Sequence, residues 1–272
     1  MTEAAEELLL AEAPDISHII TEDDTPVDNI FSEKQQRLLA ESLNSCWKPG
    51  RAFVAASNVG IFYATNQPPI VPDMFLSLDV QVADDMWKKR NRSYFVWEFG
   101  KPPEVVVEVV SNSKGGENSN KMKLYEHIRV LYYVIFDPQR LIQKEELRVY
   151  EFTAKGYIPK IRGDLTETGL SVKLWEGVFE GKNQIWLRWY DSRGNLIPTG
   201  AEWAEQEYRR AEQEYRRAEE AEKKAASAEK NGAQSKAMET ARRMLDKGFA
   251  PDEICEITGL SAPEVEAILP QV

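Results

Sequence analysis

Cysteine and histidine are scarce in this chain, with two of each among 272 residues. Cys46 and Cys255 lie far apart and show no CxxC spacing, which points to a reducing compartment and away from a structural zinc site. Neither His18 nor His127 has a partner at metal-ligand spacing. No apolar run approaches the length of a membrane span, and the opening Met1-Thr2-Glu3-Ala4-Ala5-Glu6-Glu7 lacks a basic leader segment. A soluble, cytoplasmic chain with no membrane partner is therefore expected. Basic side chains are also missing from residues 1–33, which hold ten of the 45 acidic groups and none of the 34 Lys and Arg. The net charge of −11 thus belongs to an acidic, flexible leader at 1–32, and the body that follows is nearly neutral.

What the body does contain is an ordered set of charged groups. Asp73 follows Pro72 and opens the run Met74-Phe75-Leu76. Glu108 follows Val105-Val106-Val107, a β-branched segment bounded by Pro102-Pro103 and Ser111-Asn112-Ser113, which reads as a buried strand. A carboxylate in such a place is costly unless a cation meets it, and two together repel. A divalent metal neutralises both at once. Each acid alone also has a plainer reading: Glu108 as a strand end facing solvent, Asp73 as a turn residue. Lys121, four residues before Tyr125, adds an amine one helical turn from a phenol.

Taken in order, Val71-Pro72-Asp73, the stretch Glu104–Ser113, Lys121 to Tyr125 and Tyr132 to Pro138 resemble the PD-(D/E)XK nuclease superfamily. Within it the pattern is most similar to the Uma-type restriction-endonuclease-like family, over roughly residues 30–200. The resemblance implies an α/β fold with a central mixed sheet flanked by helices. It implies that Asp73 and Glu108 bind magnesium (or manganese), with the backbone carbonyl of Val109 as a further ligand. The superfamily lysine would stand at position 110, occupied here by Val110; in the Uma-type branch it sits on the following helix, where Lys121 fits. Glu33 matches the acidic residue of the preceding helix. Gln35 and Gln36 occupy the region where that branch carries a histidine, and Ser111-Asn112-Ser113 replaces its Ser-Pro-Ser.

The activity implied is hydrolysis of DNA phosphodiester bonds, with Asp73, Glu108 and Lys121 catalytic. Lys121 would orient the attacking water or stabilise charge on the phosphate. Tyr125 would support it by positioning a phosphate, or would simply pack in the core. The run Trp87-Lys88-Lys89-Arg90-Asn91-Arg92 offers Lys88, Lys89, Arg90 and Arg92 as contacts to a DNA backbone, or is an ordinary solvated loop. No nucleotide cofactor is called for.

Elements are expected as follows. Leu38, Leu39, Leu43 and Cys46 recur at helical spacing over 33–46, with Ser32 as N-cap. Phe53–Ala56 and Ile61–Tyr63 flank Asn58-Val59-Gly60 and suggest a hairpin. A helix at about 119–129 separates the Glu108 strand from Leu131–Phe136, and a crossover of that length would make those strands parallel neighbours. Further strands are expected at 147–152, 156–161, 171–175 and 184–190. The restriction-endonuclease-like domain would then span 33–200.

Beyond Pro198 the composition changes. AEQEYRR at 204–210 repeats without change at 211–217, placing Ala201, Ala204, Tyr208, Ala211, Tyr215 and Ala218 along a 3-4 seam. A heptad-patterned helix at 201–230 would form either a coiled-coil stem of a homodimer or a single solvated helix held by Glu–Arg pairs. Asn231-Gly232 reads as its break. Residues 231–272 look like a small C-terminal helical hairpin of helix-turn-helix type, similar to the tail of transposase-associated nucleases of the same superfamily. Glu264 and Glu266 make its second helix a poor surface for a major groove and favour protein contact. The rival to the nuclease reading is a non-catalytic interaction protein that keeps the fold and works through stem and tail.

Overall fold

The computed structural model describes residues 29–111 and 120–268. Residues 1–28 of the leader expected at 1–32, and the Asn112 and Ser113 positions of the loop motif, lie outside the described residues, while residues 30–32 of that leader are already helical. In chain order the elements are α1 (Ile30–Cys46), β1 (Phe53–Ser57), β2 (Ile61–Phe62), β3 (Met74–Leu78), β4 (Tyr94–Phe95), α2 (Val96–Phe99) and β5 (Val105–Val109). Then come α3 (Asn120–His127), β6 (Tyr132–Phe136), β7 (Leu147–Thr153), β8 (Gly156–Lys160), β9 (Asp164–Leu165), β10 (Leu170–Phe179) and β11 (Lys182–Asp191). Three helices finish the chain: α4 (Gly200–Asp246), α5 (Pro251–Thr258) and α6 (Ala262–Glu266). The chain divides into two compact units, Met1–Trp203 and Ala204–Val272.

The first unit is built on a six-stranded mixed sheet in the order β1-β3-β5-β6-β7-β8, antiparallel except for β5 and β6. Those two are parallel because α3 carries the chain back between them, as the crossover length required. All five residues of β5 are buried, as suits a central strand covered on both faces. One face, through Met74, Leu76, Val105, Val107 and Val134, packs against Leu39 and Leu43 of α1. The same core includes Leu170, Val172, Leu187 and Trp189 of a second sheet, ordered β11-β10-β9. The other face, through Phe75, Val106, Val110 and Tyr133, packs against Tyr125 of α3.

Local details depart from expectation in three places. Helix α1 begins at Ile30, and its N-cap is Asn29, not Ser32: the Asn29 side chain accepts the Ser32 N–H at 2.9 Å. The expected hairpin does not form. β1 pairs with β3, whereas β2 pairs parallel with β4 in a separate two-stranded piece. Val59 separates Asn58 from Gly60, so the adjacent Asn-Gly turn that closes a tight hairpin is missing. Nor does α4 break at Asn231-Gly232, since one interior glycine costs only about 1 kcal/mol against alanine and strong helix formers surround it.

Two polar groups tie the first unit together. Gln35 donates from Nε2 to the Leu187 carbonyl and accepts the Leu187 N–H through Oε1, both at 2.9 Å, so one buried side chain satisfies the outer edge of β11. At the start of α4, Thr199 Oγ1 accepts the Glu202 N–H while Glu202 Oε2 accepts the Thr199 N–H, and buried Arg188 donates to both Glu202 oxygens.

In the second unit, α4 carries the heptad repeat with intrahelical pairs such as Arg209–Glu205 and Arg216–Glu212, and leaves Tyr208 and Tyr215 exposed. Its last turns meet α5 and α6 through Ala241, Ile254, Leu260 and Val265. Gly259, at φ 72, ends α5, and Glu264 accepts from both Ser261 and Gln234 at the surface. No helix among the described residues is long and apolar enough to cross a membrane.

Gln35→Ala is expected to lower stability by about 2–3 kcal/mol, because the Leu187 N–H and carbonyl both lose their partner inside the core. Urea denaturation measures this; a change below about 0.5 kcal/mol would show that the strand edge is satisfied another way.

Candidate active site

The register of the central strands decides where the two acids fall. Met74 lies opposite Val107, so Asp73, one residue before β3, comes opposite Glu108. Phe75 belongs to the α3-side core, as do Val106 and Val110. By the two-residue alternation of strands, Asp73 and Glu108 therefore leave the sheet on that same face.

Helix α3 completes the arrangement. Lys121 Nζ donates to Glu108 Oε2 at 2.7 Å, and Tyr125 OH donates to Glu108 Oε1 at 2.6 Å. Glu108 and Tyr125 are fully buried, while the Lys121 side chain keeps 32% of its exposure. The solvent-facing alternative for Glu108 is thereby overturned. Burial first, and then the adjoining Glu108 carboxylate, push the Tyr125 hydroxyl well above its ordinary range. Tyr125 is both a core residue and a hydrogen-bond donor to the acid.

Asp73 is held from two sides. Its Oδ2 accepts the Val109 N–H at 2.5 Å, and its Oδ1 accepts from Gln36 Nε2 at 2.9 Å. Strand β5, helix α3 and helix α1 thus each contribute a group to one end of the sheet. A fully buried carboxylate thus meets a lysine and a tyrosine one turn apart, beside a second carboxylate next to the neighbouring strand.

The family model Uma2, described as "Putative restriction endonuclease", matches residues 18–171. The chain belongs to the Uma2 family.

The Uma2 match takes in Glu33, Gln36, Asn58, Asp73, Glu108, Lys121 and Tyr125. A second model, the C-terminal HTH domain of the Rpn/YhgA-like nuclease family, matches residues 234–270. Among solved structures, the crystal structure of a "putative nuclease belonging to DUF820" from Anabaena variabilis is similar at 14% identity, covering 46% of this chain and 70% of that chain, with a TM-score of 0.33. Nothing is drawn from a likeness of that degree. No curated protein matches the chain.

Other residues singled out in the sequence fall elsewhere. Glu33 is exposed and binds Arg37 at 2.8 and 3.0 Å; Arg37 also pairs with Glu180. Arg37 holds the Glu33 carboxyl below its ordinary range. Glu33 does border one shallow cavity with Gln36 and Asn58. Lys88, Lys89, Arg90 and Arg92 are exposed or nearly so in a loop that Asp85 organises: its Oδ1 accepts the Trp87 N–H and its carbonyl accepts from Asn91. That loop leaves β3 at the end away from Asp73, about 17 Å along a five-residue strand. Exposed His127 stands edge-on to Tyr63 at 6.5 Å, and His18 lies outside the described residues.

Sequence reasoning noted Gln36 only as a departure from the family and read Asn58 only as a turn. Asn58 Nδ2 donates to Gln36 Oε1 at 2.6 Å, and the Asn58 N–H donates to the Asp73 carbonyl at 3.3 Å. An ionised carboxylate only accepts, so Gln36 must turn its NH2 to Asp73 and its oxygen to Asn58. Asn58 holds φ 54, a left-handed conformation that asparagine tolerates. A signal was available: Gln36 shares the helix stripe of Leu39 and Leu43, where a polar side chain needs a partner.

Lys121→Met is expected to destabilise the cation-free protein by about 2–3 kcal/mol, less than a fully enclosed pair would because Lys121 is partly solvated. Adding Glu108→Gln should recover most of the loss. Thermal unfolding in chelator reads both, and strictly additive losses would show that the two side chains are not coupled.

Proposed function

We propose that the chain is a magnesium- or manganese-dependent DNA endonuclease whose reacting centre is formed by Asp73, Glu108 and Lys121. The observation that carries this reading is the convergence of Lys121 and Tyr125 on the buried Glu108 carboxylate, with Asp73 opposite it on the neighbouring strand. Membership of a family of restriction-endonuclease-like nucleases supports the same reaction class.

The donor set suits a hard cation. Asp73, Glu108 and the Val109 carbonyl offer oxygen only, as magnesium and manganese prefer. A strand residue presents its N–H and carbonyl to the same neighbour, so the Val109 carbonyl lies on the side from which its N–H reaches Asp73. No group of three or more His, Cys, Asp or Glu gathers among the described residues, so an ion held by the two acids would take its remaining ligands from backbone and water. When bound, such an ion would acidify water and polarise the phosphoryl group.

The remaining roles belong to the chain. Lys121, partly exposed and fixed by Glu108, would lend its charge to the phosphate oxygens as negative charge builds during attack. Tyr125 keeps its proton and fixes the second Glu108 oxygen, leaving the carboxylate one orientation. Gln36, itself fixed by Asn58, would do the same for Asp73.

Asp73→Ala and Glu108→Ala should each abolish magnesium-dependent nicking of supercoiled plasmid, and Lys121→Ala should slow it about 10²–10³-fold. Full nicking by either acid variant would remove the reading; absence of nicking in the unaltered chain would favour the non-catalytic interaction protein. Gln36→Ala should weaken manganese binding about tenfold or more by titration calorimetry, and Gln36→Glu should not reproduce that loss. Unchanged affinity in Gln36→Ala would make the amide a packing residue only.

A further inference from the structure

A second cationic feature lies on the solvent side of α3, apart from the loop at 87–92. Lys123, His127 and Arg129, with Lys155 and Gly156 of the β7–β8 turn, line an open groove of about 780 Å³. Among the described residues, Glu126 is the one acid on its walls. Its carboxylate lies against Gly156, where an added Cβ would come within 2.3 Å of Oε1. Lys123, Arg129 and Lys155 make no ion pair among the described residues. Many other cations of the same unit do: Arg37, Arg51, Arg148 and Lys160 each hold a carboxylate. In the loop at 87–92, Lys88 faces Asp85 at 3.4 Å and Arg92 Nε is spent on the Trp87 carbonyl.

Arg129 is placed at a cost. It sits at φ 62, where the Val130 N–H closes the helix end on the Tyr125 carbonyl at 3.0 Å. Glycine fills such a position without strain, whereas a side chain there is disfavoured. The negative end of α3 attracts a cation, which accounts for Arg129 or His127 but not for Lys155, contributed by another element. The same helix presents Lys121 to Glu108, and its eight residues span about 12 Å, the axial rise of three or four nucleotides.

We propose that this groove binds the sugar–phosphate backbone of the nucleic acid strand cleaved at Glu108, through Lys123, Arg129 and Lys155. The proposal rests on the nuclease reading and names how the substrate is held along α3. Glu108 is level with Arg148 across β6, whereas the β7–β8 turn follows Thr153, so the groove lies toward the other end of the sheet. Three phosphate contacts there would fix the strand's register several nucleotides from the cut without reading sequence.

The test is binding of a fluorescent duplex and a fluorescent single strand of the same sequence, by anisotropy in chelator, between about 50 and 200 mM salt. The full chain is compared with Lys123→Ala/Arg129→Gly/Lys155→Ala, in which glycine relieves the strained position. A control, Arg209→Gln/Arg216→Gln/Lys223→Gln, removes the same charge from the exposed heptad helix. The groove variant should lower the slope of log affinity against log salt by about two to three, near 0.9 per lost duplex contact. The control should leave it within about 0.5 of the unaltered chain. A groove variant indistinguishable from the control overturns the proposal, as does failure of the unaltered chain to bind either DNA. Because chelator removes cleavage from the assay, a lowered slope without magnesium-dependent nicking would cost the protein its proposed chemistry and leave the groove standing. Nicking with an unchanged slope would do the reverse.

Discussion

The buried carboxylate of Glu108 is the constraint around which the first unit is organised. A charge one residue from the end of the five-residue buried strand β5 is unfavourable by several kcal/mol unless its oxygens are met. Lys121 and Tyr125 meet both of them from one turn of α3. That requirement fixes the rotation of α3, and α3 in turn makes β5 and β6 parallel. The same strand end supplies the Val109 N–H to Asp73, so placing one acid helps to place the other. Free energy that a purely apolar core would have gained is given up here to hold two carboxylates and an amine together.

Much of this was legible because it depends on period and order. The β-branched run of β5 between its flanking turn residues gave the central strand, and the length of the following segment gave the crossover. Asp73, Glu108, Lys121 and Tyr125 could be read as a set because their order resembles the motif of a nuclease superfamily, with Pro72, the valine run and the four-residue spacing of Lys121 and Tyr125 as local support. What could not be read depends on contacts distant in the chain. Gln35 is a polar residue in an apolar stripe until Leu187, some 150 positions on, is known to need its amide. Gln36 has the same sequence signature and a different use, on Asp73. Asn58 looked like a hairpin turn; its left-handed backbone instead turns the chain so that its side chain reaches α1. The N-cap moved from Ser32 to Asn29 because both residue types cap well and the difference lies in which backbone N–H is left over. At Asn231-Gly232 propensity was outweighed by the long run of helix formers on either side.

The two compact units divide the chemistry. The first unit carries the buried acids and the partly exposed amine, whereas the second carries a charged helix and a small helical cluster closed by Ile254, Leu260 and Val265. A match to a nuclease-associated HTH domain over 234–270 puts a nucleic-acid-related module beside a restriction-endonuclease-like one. Hydrogen bonds from Ser261 and Gln234 at the surface hold the Glu264 carboxyl below its ordinary range, so α6 keeps its acidic charge.

The central claim is that two carboxylates on adjacent strands share one divalent cation beside the Lys121 ammonium. Anomalous scattering from crystals soaked in manganese tests it directly. The account predicts one strong peak within bonding distance of both Asp73 and Glu108, with Lys121 still alongside. A manganese ion bound elsewhere, or touching only one of the two acids, would contradict it.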